Sequence, residues 1–358
     1  MHARPEAMRA LVESLFEAPT AARPDASMGA ELELIPIRDG SLRRVSIEAT
    51  ADGPGSADVA RDAARTRGWT ETTDEYGAPS WVMPNGGRLA YEPGGQFEII
   101  SPVFESVRAL ASFLRDTVAV LRQSGRSAGV QLLTIGIDPY NTIESVPLEL
   151  HAPRYDAMTT YFDSIGQSGV RMMRQTASLH VSVELGPSVM DRWALLNSLA
   201  PYLTASYANS SVYAGETTGY ASYRSRLWQT LDNTRTGLPF DQADPIGAYA
   251  RFASRAGRIL DDDRAHLTTL FPEIRPRGYF EIRSLDSMEP DRIEAALMFI
   301  SGLIHDPGAA ASAQQVLGAP DAALLGRAAE YGRSDPFINA RLESLEKIAA
   351  ESSRQGTP

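Results

Sequence analysis

Apolar residues recur along this chain with two periods, and the two alternate in blocks. Residues 104–124 place Val107, Leu110, Leu114, Val118 and Leu121 on one stripe, the 3.6-residue repeat of an amphipathic helix. Residues 154–165, 188–208, 291–304, 321–331 and 335–350 read as further helices. In the last of these Asp335 is the N-cap and Pro336 takes the first helical position, where proline is tolerated. A first helix is expected over 4–17 and a short one over 56–67, inside a looser stretch 54–75. The Ala- and Pro-rich stretch 18–27 is loose, and the chain is expected to fray from Arg354.

The period-two segments share an unusual property. Residues 30–34 put Glu31 and Glu33 on one face and Leu32 and Leu34 on the other. Residues 96–100 oppose Gln96 and Glu98 to Phe97 and Ile99. Residues 177–185 oppose Ser178, His180, Ser182 and Glu184 to Leu179, Val181, Val183 and Leu185. Residues 279–285 oppose Tyr279, Glu281 and Arg283 to Phe280 and Ile282. Each strand therefore has one apolar face, to pack on helices, and one polar face. If the strands share a sheet, Glu31, Glu33, Glu98, His180, Glu281 and Arg283 share a surface. A solvated antiparallel sheet also has a polar outer face. The residue choice argues against that simpler account, because glutamates dominate with few basic partners, and like charges set opposite each other destabilise. A hard divalent cation such as Mg²⁺ would neutralise them.

Composition narrows the chemistry. With 358 residues, 43% of them hydrophobic, the chain can build a sizeable core. No run is long enough for a membrane span, and the mixed N-terminus does not read as a signal peptide, so a cytoplasmic protein is expected. There is no cysteine, which removes disulfides, thiolate metal sites and thiol nucleophiles. A net charge of −11 without a basic run argues against nucleic acid. Lys347 is the only lysine, so a phosphate clamp in the body of the chain must use Arg, Mg²⁺ or backbone N–H groups. No P-loop motif is present.

Two further segments carry candidate chemistry. In Tyr91-Glu92-Pro93-Gly94-Gly95-Gln96-Phe97-Glu98 the Pro-Gly-Gly makes a tight turn with little side-chain bulk between acidic residues. It is either a plain hairpin turn or a backbone that a ligand approaches closely. Arg224, Arg226 and Arg235 lie in a Ser/Thr/Asn-rich context. They are either ordinary surface arginines or bidentate partners for carboxylate and phosphate.

At these residues the chain resembles the glutamate–cysteine ligases of the plant and bacterial type, relatives of glutamine synthetase in fold. The matching segments run in the family's order. They include Gly29-Ala30-Glu31-Leu32-Glu33, Glu92-Pro93-Gly94-Gly95-Gln96-Phe97-Glu98, Gly136-Ile137-Asp138-Pro139, Arg154-Tyr155 with Met158 and Tyr161, and Thr176-Ala177-Ser178. Arg224-Ser225 with Trp228, Arg235-Thr236-Gly237, and His266-Leu267-Thr268-Thr269-Leu270-Phe271-Pro272-Glu273-Ile274-Arg275 follow. The resemblance implies an α+β fold: an antiparallel sheet curved into a half barrel, with helices on the outer face and the site on the inner polar face. It implies one catalytic domain with a core over 28–306, flanked by the N-terminal helix and by C-terminal helices over 309–352.

The implied activity is that of an ATP-dependent carboxylate–amine ligase, which activates the γ-carboxylate of glutamate as an acyl phosphate and joins it to an amine, that of cysteine in the family. Glutathione or ergothioneine supply would be its setting. Two or three Mg²⁺ ions, or Mn²⁺ in their place, would be held by Glu31, Glu33, Glu92, Glu98, His180 and Glu281. His180 stands where plant-type enzymes carry Gln. Arg283, Arg235 and Arg224 would act on phosphate or carboxylate. Gln96, Thr176, Ser178, Arg226, Trp228 and Arg275 would bind ATP or substrate. One departure bears on the amine: only residues 238–265 fill the gap between the Arg-Thr-Gly and His-Leu-Thr-Thr motifs, where the family carries a longer segment. That keeps open another amine or acid, or a non-catalytic nucleotide-binding relative.

Overall fold

In the structure, a computed structural model that describes residues 5–18, 23–74 and 76–355, the period-two segments pair into one sheet. Its nine strands are β1 (Met28–Arg38), β2 (Thr70–Thr73), β3 (Pro79–Val82), β4 (Arg88–Tyr91), β5 (Phe97–Ile100), β6 (Val130–Leu133), β7 (Ser178–Val183), β8 (Ile274–Pro276) and β9 (Phe280–Asp286). The order is β8-β9-β7-β1-β5-β4-β3-β2, and β6 pairs with the distal half of β1. All these pairings are antiparallel and the sheet is open.

The apolar faces behave as the alternation predicts. Leu32, Leu34, Phe97, Ile99, Leu179, Val181, Ile282 and Leu285 are all 0% exposed and belong to one core. That core is closed by helices Val107–Ala128, Val189–Ser206 and Pro290–Ile304. Burying each such side chain contributes about 2 kcal/mol. A one-residue slip would move the whole set to the other face, so the core also fixes the register of the polar face.

Most helices appear within a few residues of expectation, and the differences have local causes. Helix Val107–Ala128 starts later than 104 because Phe104 completes the ladder of β1: the Met28 N–H donates to the Phe104 carbonyl at 2.8 Å. The Ser106 hydroxyl then caps the helix, and Gly129 at φ 66 stops it. Gln96 lies outside β5 because its carbonyl closes the Pro-Gly-Gly turn, accepting from the Glu92 N–H at 2.8 Å. The last helix runs on to Gln355, past the expected fraying point. The start of the first helix at residue 4, and parts of the loose stretches, fall outside the described residues.

The strands Thr70–Thr73, Pro79–Val82, Arg88–Tyr91 and Ile274–Pro276 were not expected, and neither were two helical features. Helix Gln167–Gln175 follows Pro153–Ile165 after a break at Gly166. The segment 238–265 forms helix Pro245–Arg255, whose Tyr249 and Phe252 are buried near Phe16 and Trp193. It packs on helix Pro5–Glu13, and Arg9 reaches both Asp244 carboxylate oxygens at 3.0 and 3.1 Å. Among the described residues no helix is long and apolar enough to cross a membrane.

Candidate active site

Register brings the acidic residues together. Glu31 on β1 faces His180 on β7, and Glu33 faces Glu98 on β5. Glu281 on β9 pairs with Ser182, beside His180, and Glu92 arrives from the turn after β4. The result is two triplets, Glu31–His180–Glu281 and Glu33–Glu92–Glu98. Within each, the candidate ligand atoms lie within 4.8 Å of one another.

The triplets differ electrostatically. Burial would raise the Glu281 carboxyl, but Arg283, then Arg275, His180 and Arg277, outweigh it and hold the group well below the ordinary carboxylate value. Arg283 is in direct ionic contact with Glu281, and Arg275 and Arg277 stand 3.6 and 3.5 Å away. Burial, and next the Arg283 charge, lower the His180 pKa and favour the neutral imidazole, the form that ligates metals; its ring nitrogens meet Ser178 at 2.9 Å and Glu31 at 3.2 Å. In the other triplet burial, then Glu33 and Glu31, push Glu92 up to about 8. Burial, then Glu31, Glu92 and Glu33, push Glu98 well above its usual value. Glu92 and Glu98 keep some solvent contact, which moderates both shifts.

Five carboxylates and one neutral imidazole converging this way are the donor set of hard divalent cations. The repulsion in the Glu33 triplet is what a bound cation would relieve. The chemistry of these residues therefore fits Mg²⁺ or Mn²⁺.

The other expected site residues fall into two groups. Arg283 and Arg275 stay beside Glu281, and the Nε of each is buried without a protein hydrogen-bond partner. Trp228 lies between Arg224 and Arg283, each guanidinium 5.0 Å from its ring centroid. Arg224 is buried behind Arg283: it pairs with Asp286 at 3.7 Å and donates to the Arg283 carbonyl at 2.8 Å. Ser178 grips Glu33 with its N–H and its hydroxyl, both at 2.8 Å, so it orients a candidate ligand.

The remaining expected residues are engaged with the protein itself. Gln96 is buried and donates to the Thr176 carbonyl at 2.7 Å, and the Thr176 hydroxyl donates to Met172. Arg235 is 0% exposed, with its three nitrogens bound to Asp232, Thr269 and Gly257. Arg226 is exposed and lies over Tyr220. A sequence pattern cannot tell a buried arginine that neutralises a loop from one that meets a ligand.

Sequence reasoning missed Arg277, whose only signal was its place four residues before Glu281. It also missed a groove of ≈ 150 Å³ that continues along the sheet beyond Glu31. Gly29, Ser101, Ser182, Glu184, Tyr279 and the exposed Val103 line it.

Comparison with known proteins identifies relatives of this chain. The sequence profile described as Glutamate-cysteine ligase family 2 (GCS2) matches residues 27–331. The chain is 32% identical over 355 residues to glutamate–cysteine ligase EgtA of Mycolicibacterium smegmatis, covering 88% of this chain and 81% of that protein. The EgtA of Mycobacterium tuberculosis is 32% identical over 359 residues, with 87% and 80% covered. The chloroplastic glutamate–cysteine ligase of Arabidopsis thaliana is 28% identical over 256 residues, covering 61% and 49%. A solved glutamate–cysteine ligase from Francisella tularensis in complex with AMP superposes over 91% of this chain and 92% of its own at TM-score 0.42 and 11% identity. A profile match over most of the chain, with EgtA similarity along nearly its whole length, shows that this protein belongs to glutamate–cysteine ligase family 2.

Proposed function

We propose that this protein uses ATP to activate the γ-carboxylate of glutamate as an acyl phosphate and joins it to the amine of cysteine. The observation that carries the reading is the pair of ligand triplets on one sheet face beside Arg283 and Arg275. A carboxylate is a poor electrophile. Its oxygen attacks the γ-phosphorus of ATP, the bond from that phosphorus to the bridging oxygen breaks, and ADP leaves. The amine then adds to the acyl carbon, loses a proton, and expels inorganic phosphate as the amide forms.

Phosphoryl transfer depends mainly on positioning and charge neutralisation. Glu31, His180 and Glu281 would hold one divalent cation and Glu33, Glu92 and Glu98 another. Such ions supply Lewis-acid neutralisation of phosphate charge. Arg283, steadied by Trp228 and Arg224, is placed to meet the transferred phosphoryl group, with Arg275 beside it. Ser178 keeps Glu33 aimed at the face. The groove past Gly29 suits the nucleoside: the glycine leaves room, and Tyr279 and Val103 offer apolar surface to a base. A cytoplasmic setting fits these substrates.

A second reading shares this chemistry but uses another amine. It is favoured by the segment 238–265, whose helix is committed to the core against the N-terminal helix. Purified protein, glutamate and MgATP offered a panel of amines separate the two. ADP release and γ-glutamylcysteine with cysteine alone support the first, and turnover only with another amine supports the second. MgATP binding without ADP release for any acceptor refutes both.

A further inference from the structure

Arg44 is a buried cation that the chemistry above does not use. Its side chain is 5% exposed, and its Nη1 stands 3.6 Å from Asp138 Oδ2. Nε and Nη1 have no hydrogen-bond partner. Its shortest contact is with a neutral group: Nη2 donates to the Gly94 carbonyl at 2.5 Å. Taking a guanidinium out of water is costly unless its partners are excellent. An arrangement that places the best hydrogen bond on one main-chain carbonyl is poorly explained as ion pairing.

The carbonyl it holds belongs to the turn between Glu92 and Glu98. The rest of that turn is fixed as well. The Glu92 carbonyl accepts from the Gly95 N–H, and the Pro93 carbonyl from the Glu149 N–H, both at 2.8 Å. Gly94 is packed so closely that a Cβ there would lie 2.1 Å from the Arg174 carbonyl oxygen. Arg44 follows β1, which carries Glu33, and bridges back to it at Ile37. Its counter-charges are Asp138 and then Glu149, and Asp138 is rigid: it is 0% exposed and accepts from the Tyr140 and Asn141 N–H groups at 2.9 and 3.0 Å.

We propose that Arg44 is a positioning residue for the cation site formed by Glu33, Glu92 and Glu98. It ties the Pro93–Gly95 turn to the strand that bears Glu33, and so sets how far the Glu92 carboxylate reaches. The proposal rests on the cation-binding reading of the two triplets.

Mn²⁺ titration of the full chain, with free Mn²⁺ followed by electron paramagnetic resonance, tests it. The parent protein is expected to bind two ions, and Glu92→Gln identifies the class of site that includes Glu92. Arg44→Gln should weaken that same class by about 10- to 100-fold, the usual effect of removing a group that orients a ligand, and leave the other class unchanged. Arg44→Lys, which keeps the charge but not the fork, should fall between. Should Arg44→Gln fail to fold, Arg44→Lys is read by the same criterion. Equal weakening of both classes, or a lower melting midpoint with Mn²⁺ affinity unchanged, overturns the positioning role and leaves the ligase reading standing. A parent protein that binds no Mn²⁺ removes both.

Discussion

Replacing Glu281 and replacing Glu98 by glutamine are the same chemical change on the same sheet face, yet they should move stability in different ways. Glu281 is 1% exposed and is the shared counter-charge of Arg283, Arg275 and Arg277. Arg277 is 49% exposed and screened by water, so its share is small. The other two are not. Removing one partner from a buried ionic cluster costs about 3 kcal/mol or more, which lowers the melting midpoint by roughly 4 °C for a chain of this size. Burial, then the charges of Glu31, Glu92 and Glu33, hold the Glu98 carboxyl well above its ordinary value in the metal-free protein, so the fold disfavours its anion. Glu98→Gln then removes a carboxyl whose anion the fold already disfavours and should shift stability by less than about 1 kcal/mol. Both variants should lose ATP turnover, because each removes a candidate cation ligand. Differential scanning calorimetry at pH 7 with chelator, at one scan rate, measures the contrast. Equal destabilisation of the two variants, or a stable Glu281→Gln, would refute the electrostatic division of the site.

The same division sets a pH dependence. Glu92 titrates near 8 in the fold against an ordinary 4.5, so between those values the folded metal-free protein binds protons that the unfolded chain has released, and its stability falls as pH rises. Midpoints measured from pH 5 to 8 should decline more steeply for the parent than for Glu92→Gln, and Mg²⁺ should flatten the decline; parallel curves would contradict the shift. Arg283→Lys should slow turnover by about 100-fold or more through loss of the planar fork, whereas exposed Arg226→Ala should leave steady-state ADP release as in the parent. Gly94→Ala should destabilise by about 3 kcal/mol through the clash with the Arg174 carbonyl, read as a shift in urea midpoint.

Much of the site was legible because strand alternation is a local property. Side chains two apart share a face wherever the chain is extended, so Glu31 and Glu33 had to lie together, as did Glu281 and Arg283. Motif resemblance added Glu92, which no period could place because it sits on a turn. The protein contacts of Gln96, Thr176, Arg226 and Arg235 were not legible. Whether a polar group meets a ligand or a main-chain carbonyl depends on what a distant segment brings to it. Gln96 meets Thr176, 80 residues away, and Arg235 meets Thr269, 34 residues away.

The sequence by itself determined that glutamates would line one polar face, that Leu and Ile would line the other, and that no cysteine or P-loop chemistry was available. Tertiary structure alone decided that the glutamates split into two triplets, one in direct contact with arginines and the other dominated by burial and the repulsion of its own carboxylates. The physical reason is range. Alternation follows from covalent geometry over a few residues, whereas the charge a carboxylate feels is set by whatever stands within a few ångströms of it, such as Ser178 against Glu33 across 145 residues of chain.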